Sequence, residues 1–265
     1  MTAVGLTDTH CHFEMLKERP EAVLAEARQA GVDGVLAVGV DLESSRAAVE
    51  LAALRPEVHA VVGMHPHDAV HFDAVVRTGL ERLLAHPKAV AVGECGLDFH
   101  RDHSPRDVQR AAFAAQLEMA RAAGVPVVVH SREAAGETFA LLTEHAAGTT
   151  VVLHCFSAAD RVDLCNERGY YMSFAGNLTY KKADDLRRAA VAAREDLLLV
   201  ETDAPFLAPE PRRGRENRPS NVVHTAALLA ELRGWDAARA AAVTTANARR
   251  AFGLPDEAQA GASRG

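Results

Sequence analysis

Residues 4–38 read VGLTDTHCHFEMLKERPEAVLAEARQAGVDGVLAV and contain the unit from which the fold can be predicted. Apolar, β-branched runs of strand length, at 4–10 and 32–38, flank a stretch near 20–30 with helical periodicity that ends at Gly31. The same pattern recurs along the chain and predicts eight strands, at 4–10, 32–38, 58–63, 88–94, 125–130, 150–154, 170–174 and 197–203. It also predicts helices near 20–30, 43–54, 72–85, 106–123, 133–145, 159–168 and 180–194, with two more after the last strand.

This alternation indicates parallel strands, because hairpin turns such as Asn-Gly are absent and each connection is long enough for a helix. Strands that are apolar at nearly every position are typical of a barrel between a packed interior and outer helices. We therefore predict the α/β class and a single-domain (β/α)8 TIM barrel over residues 1–254, with a flexible C-terminal tail at 255–265. An open doubly wound sheet is less favoured, because no GxGxxG follows the first strand and no P-loop is present.

The composition limits the classes of function. The 265 residues include 29 Lys plus Arg against 36 Asp plus Glu, a net charge of −7 that excludes a broadly basic nucleic-acid coat. No basic segment precedes a long apolar one, so we expect a soluble, cytoplasmic protein without membrane attachment. Since no CxxC pair occurs, we expect four free thiols, at Cys11, Cys95, Cys155 and Cys165.

Side chains of metal-ligand type lie where predicted strands end. They are His10 and His12 on the first strand, Glu94 on the fourth, His130 on the fifth, His154 on the sixth and Asp203 on the eighth. In a barrel these ends share one rim, where active sites are built from residues distant in sequence. Four imidazoles and two carboxylates at one place predict metal binding, because a cation satisfies polar groups that would otherwise be buried without partners.

Local spacing supports this prediction. His10 and His12 are two residues apart on a strand, hence on one face and about 6.6 Å apart along it. Asp8 and Glu201 lie on the same faces one layer deeper, and we expect these carboxylates to orient imidazole N–H groups. His65 and His67 follow the third strand in the sequence GMHPH, where a histidine could contact substrate or a metal-bound water.

Several motifs resemble the TatD family of metal-dependent deoxyribonucleases, within the amidohydrolase-like barrels. They span nearly the whole chain in order: DTHCHF at 8–13, GMHPH at 63–67, GECGLDF at 93–99, VHSRE at 129–133, HCFS at 154–157, ETDAPFLAP at 201–209 and TANARRAFGL at 245–254. The resemblance implies DNA hydrolysis, with 3′ to 5′ exonuclease action, and two divalent ions with Glu94 between them. The implied ligands are His10, His12, Glu94 and Asp203 for one ion and Glu94, His130 and His154 for the other.

Two such ions, about 3.5 to 4 Å apart, would lower the pKa of a bridging water and polarise a phosphoryl group. We expect Asp203 and Glu94 to be catalytic, with Asp203 as general base. Mixed His and carboxylate ligands suit Mg, Mn, Zn, Ni or Fe. The expected substrate-binding residues are His65, Arg132, Phe206, Arg213 and Arg215, with further phosphate contacts from Arg212 and Arg218 and base stacking by Phe99, Phe156 and Tyr180.

The sequence departs from the family pattern mainly in the substrate loops. Cys95, Phe99 and Phe206 replace residues usual in the family, and RGRENRP stands where RGKRNEP is common. Glu216 and Arg218 are charge-swapped there. The resemblance to the family therefore covers the metal ligands more closely than the substrate contacts.

Other functions stay open at this point. The acidic net charge favours DNA ends or short single strands as partners, because few phosphates can be neutralised at once. D-aminoacyl-tRNA deacylation would use the same metals on another ester. A small-molecule amidohydrolase is weighted lower, since related barrels often use a modified lysine where Glu94 stands, and a catalytically idle binding barrel is disfavoured by the intact ligand set. No protein partner is indicated.

Overall fold

A computed structural model of the protein describes residues 5–255. Its eight strands form one parallel sheet in sequence order, and a parallel bridge between Cys11 and Ala204 joins its first and last edges. The strands are β1 (Leu6–Cys11), β2 (Val32–Val38), β3 (Val58–Val62), β4 (Ala89–Asp98), β5 (Val127–Arg132), β6 (Val151–Leu153), β7 (Tyr171–Phe174) and β8 (Leu198–Val200). The predicted (β/α)8 barrel is confirmed.

Nine α-helices lie within the described residues. They are α1 (Pro20–Gln29), α2 (Leu42–Leu54), α3 (Ala74–Leu84), α4 (Arg106–Ala123), α5 (Ala135–His145), α6 (Val162–Arg168), α7 (Asp184–Ala192), α8 (Val222–Arg233) and α9 (Ala237–Phe252). Helix α2 starts where the Asp41 carboxylate accepts a hydrogen bond from the backbone N–H of Ser44 at 2.7 Å. Helix α4 ends at Gly124, whose φ of 68° is left-handed.

Alternate residues of most strands face two separate cores. Leu36, Val61, Val128 and Leu199 belong to an inner cluster that also includes Phe252 of α9. Asn247 of α9 donates to the carbonyls of Glu195 and Leu198 at the start of β8, so this helix covers the amino-terminal end of the barrel. The carboxyl-terminal end remains for the site.

Some predicted boundaries were wrong. Strand β4 continues to Asp98, four residues beyond the predicted end at Glu94, because Gly96 and its neighbours pair with β5. Helix α6 begins later than predicted, since a short 3-10 turn at Ala159–Arg161 precedes it, and α7 begins later because residues 180–183 form a turn. The predicted tail at 255–265 lies outside the described residues, apart from its first.

Two other expectations from the sequence concern the pairing of the cysteines and membrane-spanning helices. The four cysteines are unpaired, and three of them are fully buried. Within residues 5–255 no helix combines the length and the apolarity needed to span a bilayer.

Gly96 permits the close approach of β4 and β5. Its φ is 145°, and a Cβ there would lie 2.0 Å from the carbonyl oxygen of His130. Gly96→Ala should therefore destabilise the protein by about 3 kcal/mol, through overpacking and backbone strain. Urea unfolding measures this, and Gly136→Ala in α5 is the matched control, because nothing lies within 4 Å of its added Cβ. Equal stability of the two variants would contradict this account.

Candidate metal centre

The structure brings the six predicted ligands together at the carboxyl ends of the strands. His10 lies in β1, Glu94 in β4 and His130 in β5. His12 and His154 directly follow β1 and β6, and Asp203 lies three residues after the end of β8. His10, His12 and Glu94 are almost completely buried, and the side chain of Asp203 is 14% exposed. Residues from five strands thus line one small space at the mouth of the barrel.

Glu94 lies at the middle of this cluster. Its Oε2 atom is 3.2 Å from Nε2 of His10 and 3.5 Å from Nε2 of His12. Its Oε1 atom is 2.7 Å from Nδ1 of His130 and 3.0 Å from Nε2 of His154. The two carboxylate oxygens therefore face two different groups of nitrogen atoms.

Asp203 completes the first group. Its Oδ1 atom is 3.6 Å from Nε2 of His12, and donor atoms of His10, His12 and Asp203 lie within 4.8 Å of one another. The residue has a backbone φ of 56°, which is uncommon for a residue other than glycine. Its backbone N–H donates to the carbonyl of His10 at 3.0 Å, which fixes this turn against β1.

Hydrogen bonds on the outer side of the rings fix which nitrogen faces inward. Nδ1 of His12 donates to the carbonyl of Val38 at 2.9 Å, and Nδ1 of His154 donates to Oε1 of Glu201 at 2.9 Å. The neutral forms of these rings therefore direct an unprotonated Nε2 at the cluster.

This donor set fits divalent cations. Burial would raise the pKa of Glu94, but the surrounding imidazoles, His154 and His65 first, hold it well below its usual value, so the carboxylate is ionised. Burial and the neighbouring His154 lower the pKa of His10 to about 4, so its ring is neutral at neutral pH. Its buried Nδ1 atom has no hydrogen-bond partner. Burial would lower the pKa of His12 and His154, but the facing carboxylates raise it, to about 9 for His12. Protons on these rings therefore balance the charge of Glu94 in the metal-free protein, and a divalent cation would replace them.

The two deeper carboxylates act differently from each other. Glu201 contacts an imidazole of the cluster, as expected from the sequence. Asp8 does not, because its carboxylate accepts from the backbone N–H and the hydroxyl of Thr202, at 2.8 and 2.6 Å, and from the backbone N–H of His10. Burial raises the pKa of Asp8 to about 8. The expected contact between Asp8 and an imidazole ring is therefore wrong, and Asp8 instead holds the end of β8 against β1.

The predicted substrate residues have different positions. His65 is buried beside the cluster, with Nε2 3.6 Å from Oε1 of Glu94. Phe206 is 51% exposed, and its ring centroid lies 6.3 Å from that of His12. Arg132 is exposed at the end of β5. Arg213 stacks on the ring of Tyr180 at 4.0 Å. These side chains surround the opening.

Other predicted contacts lie elsewhere. Arg212 and Arg215 line a groove of about 640 Å³ beside α1 and α8, which contains none of the six ligands. Arg218 forms ion pairs with Glu18 at 2.7 Å and Glu26 at 2.8 Å. Phe99 and Phe156 are buried, the former under the guanidinium of Arg106 at 4.4 Å. Of the aromatic residues considered for stacking, Phe206 is the most accessible among the described residues.

Asp98 also contacts the cluster, although it is not among the site residues expected from the sequence. Its Oδ2 atom accepts hydrogen bonds from Nε2 of His67 at 3.0 Å and from Nε2 of His130 at 3.2 Å. Asp98 lies four residues after Glu94, hence on the same face of a strand that continues past it. The prediction that β4 ended at Glu94 removed that signal.

A parallel barrel with a carboxylate between groups of histidines at its carboxyl-terminal rim defines the class of metal-dependent barrel hydrolases. Comparison with known proteins is consistent with this class. Residues 7–253 match the sequence profile of TatD-related DNases, and the chain belongs to this family. It is a metal-dependent hydrolase that acts on ester bonds.

The relatives cover almost the whole chain. The "3'-5' ssDNA/RNA exonuclease TatD" of Escherichia coli K12 is 36% identical over 262 residues, 96% of this chain and 99% of its own length. The "uncharacterized metal-dependent hydrolase YabD" of Bacillus subtilis is 35% identical over 251 residues, 93% and 98% of the two chains. The crystal structure of YJJV, a TatD homologue from E. coli, superposes with a TM-score of 0.88 at 30% identity, covering 96% of this chain and all of its own.

Metal removal should destabilise the folded protein, because only the native state assembles the donor set. A divalent ion at one hundred times its Kd should add about 3 kcal/mol relative to protein in EDTA and raise the Tm by roughly 5–10 °C. Thermal unfolding with and without Mn²⁺ or Zn²⁺ measures the effect. Glu94→Gln should lose most of the response, whereas Glu118→Gln, which changes an exposed carboxylate on α4, should retain it. A full response in Glu94→Gln would exclude this centre as the site.

Proposed function

We propose that the protein is a 3′ to 5′ exonuclease that acts on single-stranded DNA with two divalent cations. The observation that carries the proposal is the position of Glu94, whose two oxygens face separate groups of ligand atoms at the mouth of the barrel. That arrangement suits two ions that share one carboxylate. The names of relatives that match over nearly the whole chain, which include 3′-5′ ssDNA/RNA exonucleases, support the same activity.

In this proposal the two ions share Glu94 and otherwise have different ligands. His10, His12, Glu94 and Asp203 would hold the first, and Glu94, His130 and His154 would hold the second. Both ions, when bound, supply positive charge that polarises the scissile phosphoryl group and lowers the pKa of water. Imidazole and carboxylate ligands together suit Zn, Mn, Ni or Fe, and also Mg. We therefore propose that the availability of these metals decides which divalent ion is bound.

Asp203 is the proposed general base. Its carboxylate lies at the open side of the cluster and keeps partial exposure, so it can accept a proton from a water that approaches the phosphorus atom. The backbone hydrogen bond to His10 holds the residue during this transfer. Glu94, buried and ionised, contributes by holding the two groups of ligands together.

The rim around the cluster suits an unpaired strand end. The ring of Phe206 is exposed beside His12 and can stack on a base, which a single strand presents and a duplex hides. Arg132 and Arg213 can contact phosphates on two sides of the opening. The net charge of −7 supports a short footprint on DNA ends or single strands. The unpaired cysteines support a cytoplasmic location.

Digestion of a 5′-labelled single-stranded oligonucleotide tests the activity. With Mg²⁺ or Mn²⁺ the wild-type protein should give a ladder that shortens from the 3′ end, and EDTA should abolish it. Asp203→Asn should lower kcat by roughly 10²- to 10⁴-fold, because the proton acceptor is lost. Glu118→Gln serves as the matched control. No cleavage by metal-loaded protein would contradict the proposal and would direct attention to the ester of an aminoacyl-tRNA.

A second measurement tests the substrate contact of Phe206. Removing a stacking ring costs about 1–3 kcal/mol per base, so Phe206→Ala should raise KM for the oligonucleotide about tenfold with little change in kcat. Leu54→Ala is the matched control, because Leu54 is an exposed apolar residue at the far end of α2, near the amino-terminal end of the barrel. An unchanged KM in Phe206→Ala would place the strand elsewhere on the rim.

A further inference from the structure

Asp98 is a buried carboxylate that has no assigned role in the proposed reaction. It is the last residue of β4, and its side chain is 1% exposed. Its backbone N–H and carbonyl are both held by the side-chain amide of Gln109, at 2.9 and 3.3 Å. Two contacts from α4 therefore fix the position of this residue beside the metal centre.

The two oxygens of Asp98 have separate tasks. Oδ1 accepts from the backbone N–H groups of His100 and Arg101, at 3.0 and 2.8 Å. Oδ2 accepts from Nε2 of His130 and Nε2 of His67, at 3.2 and 3.0 Å. Oδ1 thus fixes the loop after β4. Oδ2 orients His130, a candidate metal ligand, and His67, which is not one.

The contact with His130 selects its tautomer. An ionised carboxylate can only accept, and His130 lies between two of them, Asp98 and Glu94. When a cation is bound on the Glu94 side, the ring proton therefore lies on Nε2 and is donated to Asp98. Nδ1 is then unprotonated and lies 2.7 Å from Oε1 of Glu94. The opposite tautomer would direct an N–H group at the place where a cation must bind.

The contact with His67 reaches the opening of the site. The side chain of His67 is 29% exposed, it stacks on His103 at a centroid distance of 4.4 Å, and its ring lies 4.3 Å from that of His65. Its backbone N–H donates to Nδ1 of His65. The same carboxylate oxygen therefore orients a buried ligand and a ring at the rim.

We propose that Asp98 is a positioning residue that sets the tautomer of His130 for the second metal ion and the orientation of His67 for the substrate. The inference rests on the proposed two-metal function and extends it. It predicts that metal affinity and substrate affinity change together when this one carboxylate is altered. Changes at His67 alone should affect the substrate only.

Asp98→Asn is the sharpest substitution. The amide oxygen can still accept from the two backbone N–H groups, so the loop keeps its shape, and the NH₂ group then faces both imidazoles. His130 must accept at Nε2 and carry its proton on Nδ1, toward Glu94. The variant thus reverses the tautomer with almost no change in volume. Asp102→Asn is the matched control, since this exposed carboxylate on the same loop pairs with Arg106.

Two measurements test the role in metal binding without using nuclease activity. Calorimetric titration of metal-free protein with Mn²⁺ should show one ion bound as in the wild type and the second bound 10- to 100-fold more weakly in Asp98→Asn. Nitrogen-15 NMR of the Zn²⁺-loaded protein should show the ring proton of His130 on Nε2 in the wild type, and this Nε2–H signal should be absent in the variant. Unchanged titration and an unchanged tautomer would overturn the proposal. Should the wild type bind one ion only, the two-ion proposal fails, and the NMR result still decides the role of Asp98.

Steady-state kinetics separates the two contacts. His67→Ala should raise KM for a single-stranded oligonucleotide several-fold and leave both metal affinities unchanged, whereas Asp98→Asn should change KM and metal affinity together. Asp102→Asn should match the wild type in both. If Asp98→Asn fails to fold, it loses the first ion as well as the second. Asp98→Glu is then the variant to measure. Weaker metal binding in His67→Ala would contradict the division of tasks.

Discussion

Burial of the ionised carboxylate of Glu94 imposes a requirement on the whole barrel. An isolated carboxylate is very costly to bury, so the fold must supply compensating groups at a few ångströms. It does so by ending β1, β5 and β6 at the same rim, which places His10, His130 and His154 around the two oxygens. Each imidazole comes from a different strand, and therefore the site exists only when the barrel is closed.

The closure depends on unusual backbone at two places near this carboxylate. Gly96 lets β4 approach β5 so closely that no side chain fits between them, which aligns Glu94 and Asp98 with His130. Asp203 adopts a left-handed φ, and Asn217 supports its turn by donating to the carbonyls of Thr202 and Phe206. Strain of this kind persists only where neighbouring contacts overdetermine it. The candidate ligands are thus rigidly placed, while the proposed substrate side remains open.

The fold, and the meeting of the six candidate ligands at one rim, could be predicted because both follow from periodicity. Parallel strands bring their carboxyl ends together whatever the sequence between them, so an imidazole or carboxylate at a strand end is already placed. Contacts within the loops have no such rule. The partners of Arg218, which are Glu18 and Glu26, lie about two hundred residues away in sequence, and Asp98 depends on the length of one strand. Long-range pairing and strand length are decided by packing, which periodicity does not reveal.

The charge-swapped residues Glu216 and Arg218, in the loop after β8, illustrate contacts that depend on long-range pairing rather than on periodicity. Arg218 forms ion pairs with Glu18 and Glu26, and Glu216 lies 3.7 Å from Lys17, so each has an opposite charge near the start of α1. The departure from the family pattern is therefore matched within the chain and fastens the loop to the barrel. Arg213 in the same loop stacks on Tyr180 instead. Because the swap concerns residues that fix the loop, it is compatible with the proposed role of the rim in substrate binding.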